Sequence, residues 1–348
     1  MIKRITIICF IILIMCRPVF AAEIQPPTAP ITVQEIMPEE QNSFAEGLLW
    51  VAKQAIKSAY PSLTEAIKLC SCIIAIIMLV SIVNMIPGAS QLAINLSGVL
   101  AISILLLNPS KTLIHLGIDT VKQLQEYSKL LLPVMTTALA MQGGSAGAAA
   151  LYAGTAFFNT VLGTAISSLV VPLIYVYLCL CIACSAFADT SLDKLKGFVK
   201  WLITWMLKIV LYVFTGYMSI TGVVSGTTDA AALKAAKLTI SGVVPVVGNI
   251  LSDASEAVLV SAGVMKQAAG VYGLWVFIAL WISPFIKIGI QYILLKLTAS
   301  VCDVFGNKQV VKLVHNFSDS LAMVVAMSGT VCLLSLISTV CFMKGMNV

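Results

Sequence analysis

A series of long apolar runs, separated by short polar segments, constrains this chain more than any other feature of its sequence. The clearest runs lie at 67–86, 92–107, 131–158, 161–187, 201–224, 271–299 and 321–343. A helix needs about 20 apolar residues to cross a bilayer. With 59% hydrophobic and only 10% charged residues, the chain holds more apolar surface than a soluble core can bury. We therefore predict an all-α polytopic membrane protein of about six spans, within a range of six to eight.

The first 22 residues have the pattern of a signal peptide. Lys3 and Arg4 precede the apolar stretch ITIICFIILIM, and Val19-Phe20-Ala21 offers small residues at the usual cleavage positions. An uncleaved anchor is the alternative. Both interpretations place the polar segment 23–66 outside the cytoplasm.

Two spans are predicted to form a tight helical hairpin over 67–108, because Pro87 and Gly88 supply the turn between them. Asn84 and Asn95 flank this turn, and we expect them to hydrogen-bond across it. The mixed polar segment 109–130 follows as a linker outside the membrane.

Two parts of the chain match each other at an offset of 112 positions. The matched residues are Pro133 and Pro245, Pro172 and Pro284, Lys196 and Lys308, and Lys200 and Lys312. Because prolines and lysines keep their register at corresponding boundaries, we predict two membrane repeats, 131–224 and 243–343, joined by a linker at 225–242. The alternative is two unrelated helical hairpins with coincidental prolines.

The repeat makes two topologies available. Two polar loops, 188–200 with Lys196 and 302–319 with Lys308, lie between the spans. If the first element of each repeat re-enters or lies on the outer face, both loops fall in the cytoplasm, as the positive-inside rule favours. If that element crosses instead, the repeats are inverted, and Lys200 and Lys312 lie on opposite sides.

Glycine or proline interrupts the first element of each repeat. The interrupting residues are Gln142, Gly143, Gly144, Pro245, Gly248 and Asn249. Backbone freed inside a membrane must be satisfied by protein or water, and paired broken segments point to a substrate path. A pair of amphipathic helices at the interface is the structural alternative.

Three charged residues complete this candidate conduit or partner-contact site. If Asp253 and Glu256 are buried, they would bind a cation or relay protons. We favour the alternative, in which they lie on the solvated face of an amphipathic helix and contact water. Lys287 lies three residues after Pro284 within a span, and it needs an interior-facing position.

No sequence pattern specifies an enzyme. His115 and His315 lie in different polar segments, and HExxH, paired CxxC, Walker A and GxSxG motifs are absent from the sequence. Cys181 and Cys184 have neither a second pair nor a nearby histidine, so we predict packing roles for the cysteines and no metal or cofactor. The net charge of +6 is spread over short loops, which indicates orientation in a bilayer rather than nucleic-acid binding.

Two stretches carry a specific resemblance. They are KLTISGVVPVVGNILSDASEAVLVSAGVMKQAAGVYG, which begins at Lys237, and LLKLTASVCDVFGNKQVVKLVHNFSDSLAMVVA, which begins at Leu294. Through them the chain resembles the stage III sporulation protein AE family of endospore-forming bacteria, most closely over 200–348. The resemblance implies an integral component of a secretion-like channel complex, located in the mother-cell membrane that surrounds the forespore.

The same resemblance implies the partners: other stage III sporulation membrane proteins, a cytoplasmic ATPase, ring-forming proteins between the two membranes, and membrane lipid. It implies no catalytic role. Two functional hypotheses follow. The protein is a structural, pore-lining subunit of a transport assembly, or it is a self-contained permease with a midplane site between the two repeats.

Overall fold

The computed structural model describes residues 27–30, 44–86, 90–141, 145–187, 190–243, 247–305 and 308–344. For residues 44–46, 48, 145, 190, 221–243 and 247–267 it describes the backbone alone. Helices account for nearly all of this part of the chain, and it contains no strand. The α-helices are α1 Phe44–Val83, α2 Gln91–Met141, α3 Ser145–Ala165, α4 Val171–Phe187, α5 Thr190–Val243, α6 Val247–Cys302 and α7 Lys308–Lys344. A π-helical segment, Ile166–Val170, joins α3 to α4, and the 3₁₀ turn Asp303–Phe305 follows α6.

Six stretches of the described chain are long and apolar enough to cross a membrane. They are Leu49–Val83, Gln91–Met141, Ala146–Phe187, Ser191–Ile220, Ala268–Phe305 and Lys308–Lys344. Helices α3 and α4, with the π-helical segment between them, together form the third. The predicted all-α polytopic membrane protein of about six spans is confirmed.

Several helices extend beyond the apolar runs that predict them. The segment 109–130, predicted as a linker, lies inside α2, which continues past Pro133 to Met141. The 51 residues of α2 make it about 77 Å long at the α-helical rise per residue. The predicted element 131–158 is divided between the end of α2 and the start of α3, and residues 247–270 form the first part of α6.

The hairpin between α1 and α2 has the predicted polar link. Asn84 Nδ2 donates a hydrogen bond to Asn95 Oδ1 at 3.0 Å, which confirms the expected pairing. Ser81 Oγ donates to the carbonyl of Phe305 at 2.6 Å. The hairpin turn and the turn between α6 and α7 therefore lie at the same end of the bundle.

Helices α2 and α5 both run parallel to α7. On α5, Asp193 pairs with Lys312 of α7, and seven residues later Lys200 pairs with Asp319. On α2, Gly98 lies against Val310, and Gly117 lies against Val324 further along both helices. We call the end at which α5 and α7 begin the lysine end. The segments predicted as lysine-bearing loops are helical where the structure describes them, except for the turn Asp303–Phe305: residues 190–200 begin α5, and residues 308–319 begin α7. Lys196 and Lys308 both lie at this end.

Helix α7 runs through the middle of the bundle. In its most apolar stretch 56% of the residues are buried, compared with 22–39% in the other five candidate spans. Helices α2, α3, α4, α5 and α6 all pack against it. Gly117 permits the close approach of α2, because a Cβ atom at this position would overlap the side chain of Val324. The centre of the fold is thus a helix rather than an opening.

Candidate functional site

Most of the sequence-predicted site residues lack described side chains. Those outside the described residues are Gln142, Gly143, Gly144 and Pro245. Those on described helical backbone near the start of α6, with side chains that are not described, are Gly248, Asn249, Asp253 and Glu256. Helices α2 and α5, which end just before these residues, both run away from the lysine end. The proposed role of these residues stays a prediction.

Lys287 is the one predicted site residue whose side chain is described. It is partly exposed on α6, two residues after Phe285. The rings of Phe285 and Trp281 are stacked, with centroids 4.4 Å apart. Among the described side chains, Lys287 makes no hydrogen bond or ion pair. Lys287 therefore has no polar partner within the described part of the chain.

A charged network joins α5 to α7 at the lysine end. Asp193 lies between two lysines: its Oδ1 is 2.7 Å from Lys196 Nζ and its Oδ2 is 2.7 Å from Lys312 Nζ. Lys196 is only 9% exposed, and its Nζ also donates to Asn316 Oδ1 at 3.0 Å. A buried ammonium needs such partners because desolvation would otherwise make it costly.

A second ion pair continues the network one heptad further along. Lys200 Nζ lies 2.6 Å from Asp319 Oδ2. Asp193, Asn316 and Asp319 are not among the residues predicted from the sequence, which include only the lysines of this network. The signal was available, because residues spaced three, four and seven apart share one helix face, and both helices have this spacing.

Hydroxyl and amide groups link α2, α3 and α7 deeper in the bundle. The hydroxyls of Thr155 and Ser338 lie 2.8 Å apart, and Asn159 Nδ2 donates to Ser128 Oγ at 2.6 Å. Ser128 also lines a cavity of about 10 Å³ beside α7. That volume is about the least that holds one water molecule. These groups therefore bind helices together and leave no passage.

A stripe of exposed polar side chains runs along α2. Its members are Asn108, Lys111, Thr112, His115, Asp119, Lys122, Glu126 and Lys129, and we call it the polar face of α2. On the opposite side of α2, Gly117 lies against Val324, and Tyr127 packs edge-on against Phe277 with ring centroids 5.2 Å apart. Since Val324 and Phe277 belong to apolar candidate spans of α7 and α6, the polar face lies alongside those spans, and we place it at their depth.

The outer side of α1 is similar. Its exposed side chains at helical spacing are Lys53, Lys57, Tyr60, Thr64 and Lys68, and the apolar Ile56 and Ile67 are exposed beside them. Gly47 lies against Trp275, and Ser81 bonds the Phe305 carbonyl, so the residues between them run beside the α6 span. Helices α1 and α2 both pack against α6, and each has an exposed polar stripe; we refer to the two stripes together as the polar flank.

The bundle has an apolar flank at the same depth. Trp205, Ile209 and Val213 on α5 are exposed, and the Lys200–Asp319 pair aligns them with α7 beyond residue 319. A single charge, Lys208, interrupts this apolar face of α5, and one lysine can reach the interface along its own stem. One copy therefore presents lipid-compatible and lipid-incompatible surfaces at a single depth.

The described residues contain no cluster of three or more His, Cys, Asp or Glu placed to hold a metal ion. Cys181 and Cys184 are both buried. Both lie in α4, and Cys181 belongs to the core cluster, beside Tyr177. The polar groups of the described bundle serve helix contacts and one exposed flank.

These features define a polytopic helical-bundle membrane protein with a packed centre. The chain belongs to the stage III sporulation protein AE family, whose sequence profile matches residues 32–345. It is a sporulation membrane protein, and the resemblance found in the sequence is confirmed. Stage III sporulation protein AE of Bacillus subtilis (strain 168) is 25% identical over 235 residues, which are 68% of this chain and 59% of that relative. The match thus spans less than two thirds of the relative's length. No solved structure matches the chain.

Proposed function

We propose that this protein is a non-enzymatic, passage-forming subunit of the membrane complex that connects mother cell and forespore during sporulation. Its partners in this proposal are other stage III sporulation membrane proteins, a cytoplasmic ATPase and ring-forming proteins between the two membranes. Family membership supports the sporulation role. In this proposal the protein lies in the mother-cell membrane around the forespore. The positive-inside rule supports a cytoplasmic location for its lysine end.

The packed centre of the bundle is the observation that favours a subunit of a larger assembly over a self-contained transporter. Phe277, Phe317 and Phe342 are fully buried around or on α7, and the cavity beside Ser128 has room for about one water molecule. Small-molecule sites in proteins usually occupy about 300–1,000 Å³. A cavity of about 410 Å³ lies at the lysine end, between Ser81, Asn95 and Lys308, and not at the centre of the bundle. A passage is therefore expected between chains rather than along the axis of one copy.

The permease hypothesis draws its support from the interrupted elements and from Lys287, which is partly exposed within the α6 span. In the subunit proposal these features have other roles. The breaks at 142–144 and 244–246, with Asp253 and Glu256, are assigned to the end opposite the lysines, where ring-forming proteins would dock. Lys287 is assigned to a contact with a neighbouring chain.

Purification from sporulating cells and reconstitution of the isolated protein separate the two hypotheses. The subunit proposal expects a tagged chain to co-purify with the ATPase and the ring-forming proteins, and vesicles holding the chain alone to take up no small solute specifically. Specific, saturable uptake by the isolated chain, abolished by Lys287→Ala, would establish the permease instead. A chain purified alone under conditions that preserve other membrane complexes would contradict the partner set.

A further inference from the structure

The polar face of α2 cannot be a lipid surface. It lies beside the apolar spans of α6 and α7, through the contacts of Tyr127 with Phe277 and Gly117 with Val324. Charged side chains at this depth in membrane proteins face a bundle interior or water. The interior of this copy is on the other side of α2, where Ile114, Val121 and Leu124 are buried. Something other than lipid therefore covers the polar face.

The chemistry of the face favours water over a dry protein partner. Between Leu107 and Leu130, both exposed, no large apolar side chain is exposed, so the face offers nothing for an apolar interface to bury. From Asp119 to Lys129 its charges alternate in sign at spacings of three and four residues, so opposite charges are neighbours on the helix itself. Asp119 and Lys122 form such a pair at 3.9 Å, with about two thirds of each side chain in contact with solvent (63% and 65% exposed).

Water at this depth must be enclosed against lipid on every side. One copy supplies one polar flank, formed by α1 and α2, and one apolar flank, to which α5 contributes Trp205, Ile209 and Val213. If several copies are arranged with their polar flanks inward and their apolar flanks outward, the polar flanks contact water and the apolar flanks contact lipid. Closed rings of identical chains are the usual solution for such repeated contacts.

We propose that copies of this chain associate around a common water-filled passage whose wall is the polar face of α2, with the apolar face of α5 turned to lipid. The inference rests on the proposed function, for which it names both the wall and the partner that completes it. That partner is a second copy of the chain. The exposed stripe on α1, from Lys53 to Lys68, forms the flank of the same wall.

Cysteines added one at a time to the full-length chain test the wall in intact membranes. Lys122→Cys lies on the polar face and Val213→Cys on the apolar face of α5. We expect a water-soluble maleimide to label Lys122→Cys at least about tenfold faster, because the hydrated thiolate is the reacting species. A short bismaleimide should join Lys122→Cys chains into dimers and higher multimers, whereas Val213→Cys should stay monomeric. The unsubstituted chain gives the background from the exposed Cys72 and Cys179.

His115→Cys, two turns away on the same face, protects the test against a local folding defect at residue 122. If both polar-face cysteines resist the water-soluble reagent, the passage is overturned. If they react with it but crosslink only to a different protein, the second copy is overturned. Crosslinked multimers in a chain that co-purifies with no ATPase would contradict the proposed function while leaving the wall in place.

Discussion

Asp193 of α5 and Lys312 of α7 are joined by an ion pair of 2.7 Å across 119 positions of sequence. The same carboxylate holds the buried Lys196. This one acidic residue therefore ties together two parallel helices and offsets the desolvation of a lysine on its own helix.

Replacement of Asp193 with asparagine should lower stability. Removing the partner of a buried charge costs about 3–5 kcal/mol, but the Asp193 side chain is 35% exposed, so we expect roughly 1–2 kcal/mol after allowance for solvent screening. The apparent Tm of the purified protein in detergent measures the loss. Asp303→Asn, exposed at the same end of the bundle, is the matched control and should leave Tm unchanged. Equal Tm values for both variants would contradict the bridging role.

Exchange of the charges at Lys200 and Asp319 should show coupling. Each single variant, Lys200→Asp or Asp319→Lys, places like charges together across the 2.6 Å contact and should lower Tm. The double variant restores opposite charges and should recover most of the loss, with a coupling of about 0.5–1 kcal/mol because Lys200 is 46% exposed. Additive losses in the double variant would show that the two helices do not pair in this register.

Two glycines in helices should respond to alanine with opposite signs. Gly117 is packed against Val324, so Gly117→Ala should push α2 from α7 and cost about 1–3 kcal/mol. Gly216 on α5 has open space around it, so Gly216→Ala should gain about 0.5–1 kcal/mol from helix propensity. Thermal unfolding of the two variants checks the difference. A rise in Tm for Gly117→Ala would place α2 further from the centre than described.

The parallel course of α5 and α7 predicts the sidedness of their first turns. Lys194→Cys and Lys308→Cys, both exposed at the lysine end, should be labelled from the same side of the membrane by an impermeant reagent. By the positive-inside rule that side is the cytoplasm. Lys344→Cys, at the far end of α7, should be labelled from the other side. Opposite labelling of residues 194 and 308 would restore the inverted-repeat topology.

Sequence patterns were sufficient for the helices and their approximate number, because apolar runs of sufficient length have few other structures in a membrane. The Asn84–Asn95 bond was also predictable, since a short turn places its flanking residues opposite each other. The continuation of α2 through 109–130 was not. An averaged hydropathy treats this segment as polar, although its polar residues occupy one face and Ile114, Val121 and Leu124 are buried on the other.

The spacing of Asp193, Asn316 and Asp319 was visible in the sequence, but which lysine each residue meets was not. Asp193 and Lys312 meet only because two helices distant in sequence share one register, and no local pattern contains that register. The predicted repeat pairs Lys308 with Lys196, whereas α7 begins at Lys308 and α5 already begins at Thr190. The repeat therefore stays a prediction. The side chains of Asp253 and Glu256 lie outside the described part of the chain, so the same holds for them.

The central place of α7 has a consequence for biosynthesis. The ribosome makes this helix after the helices that surround it, so those helices enter the membrane before their common core exists. Until the 37 residues of α7 follow, Lys196 lacks Asn316, Asp193 lacks Lys312, and Gly117 has no Val324 to pack against. Closure of the described bundle is thus a late event, in which α7 enters between helices already in the bilayer.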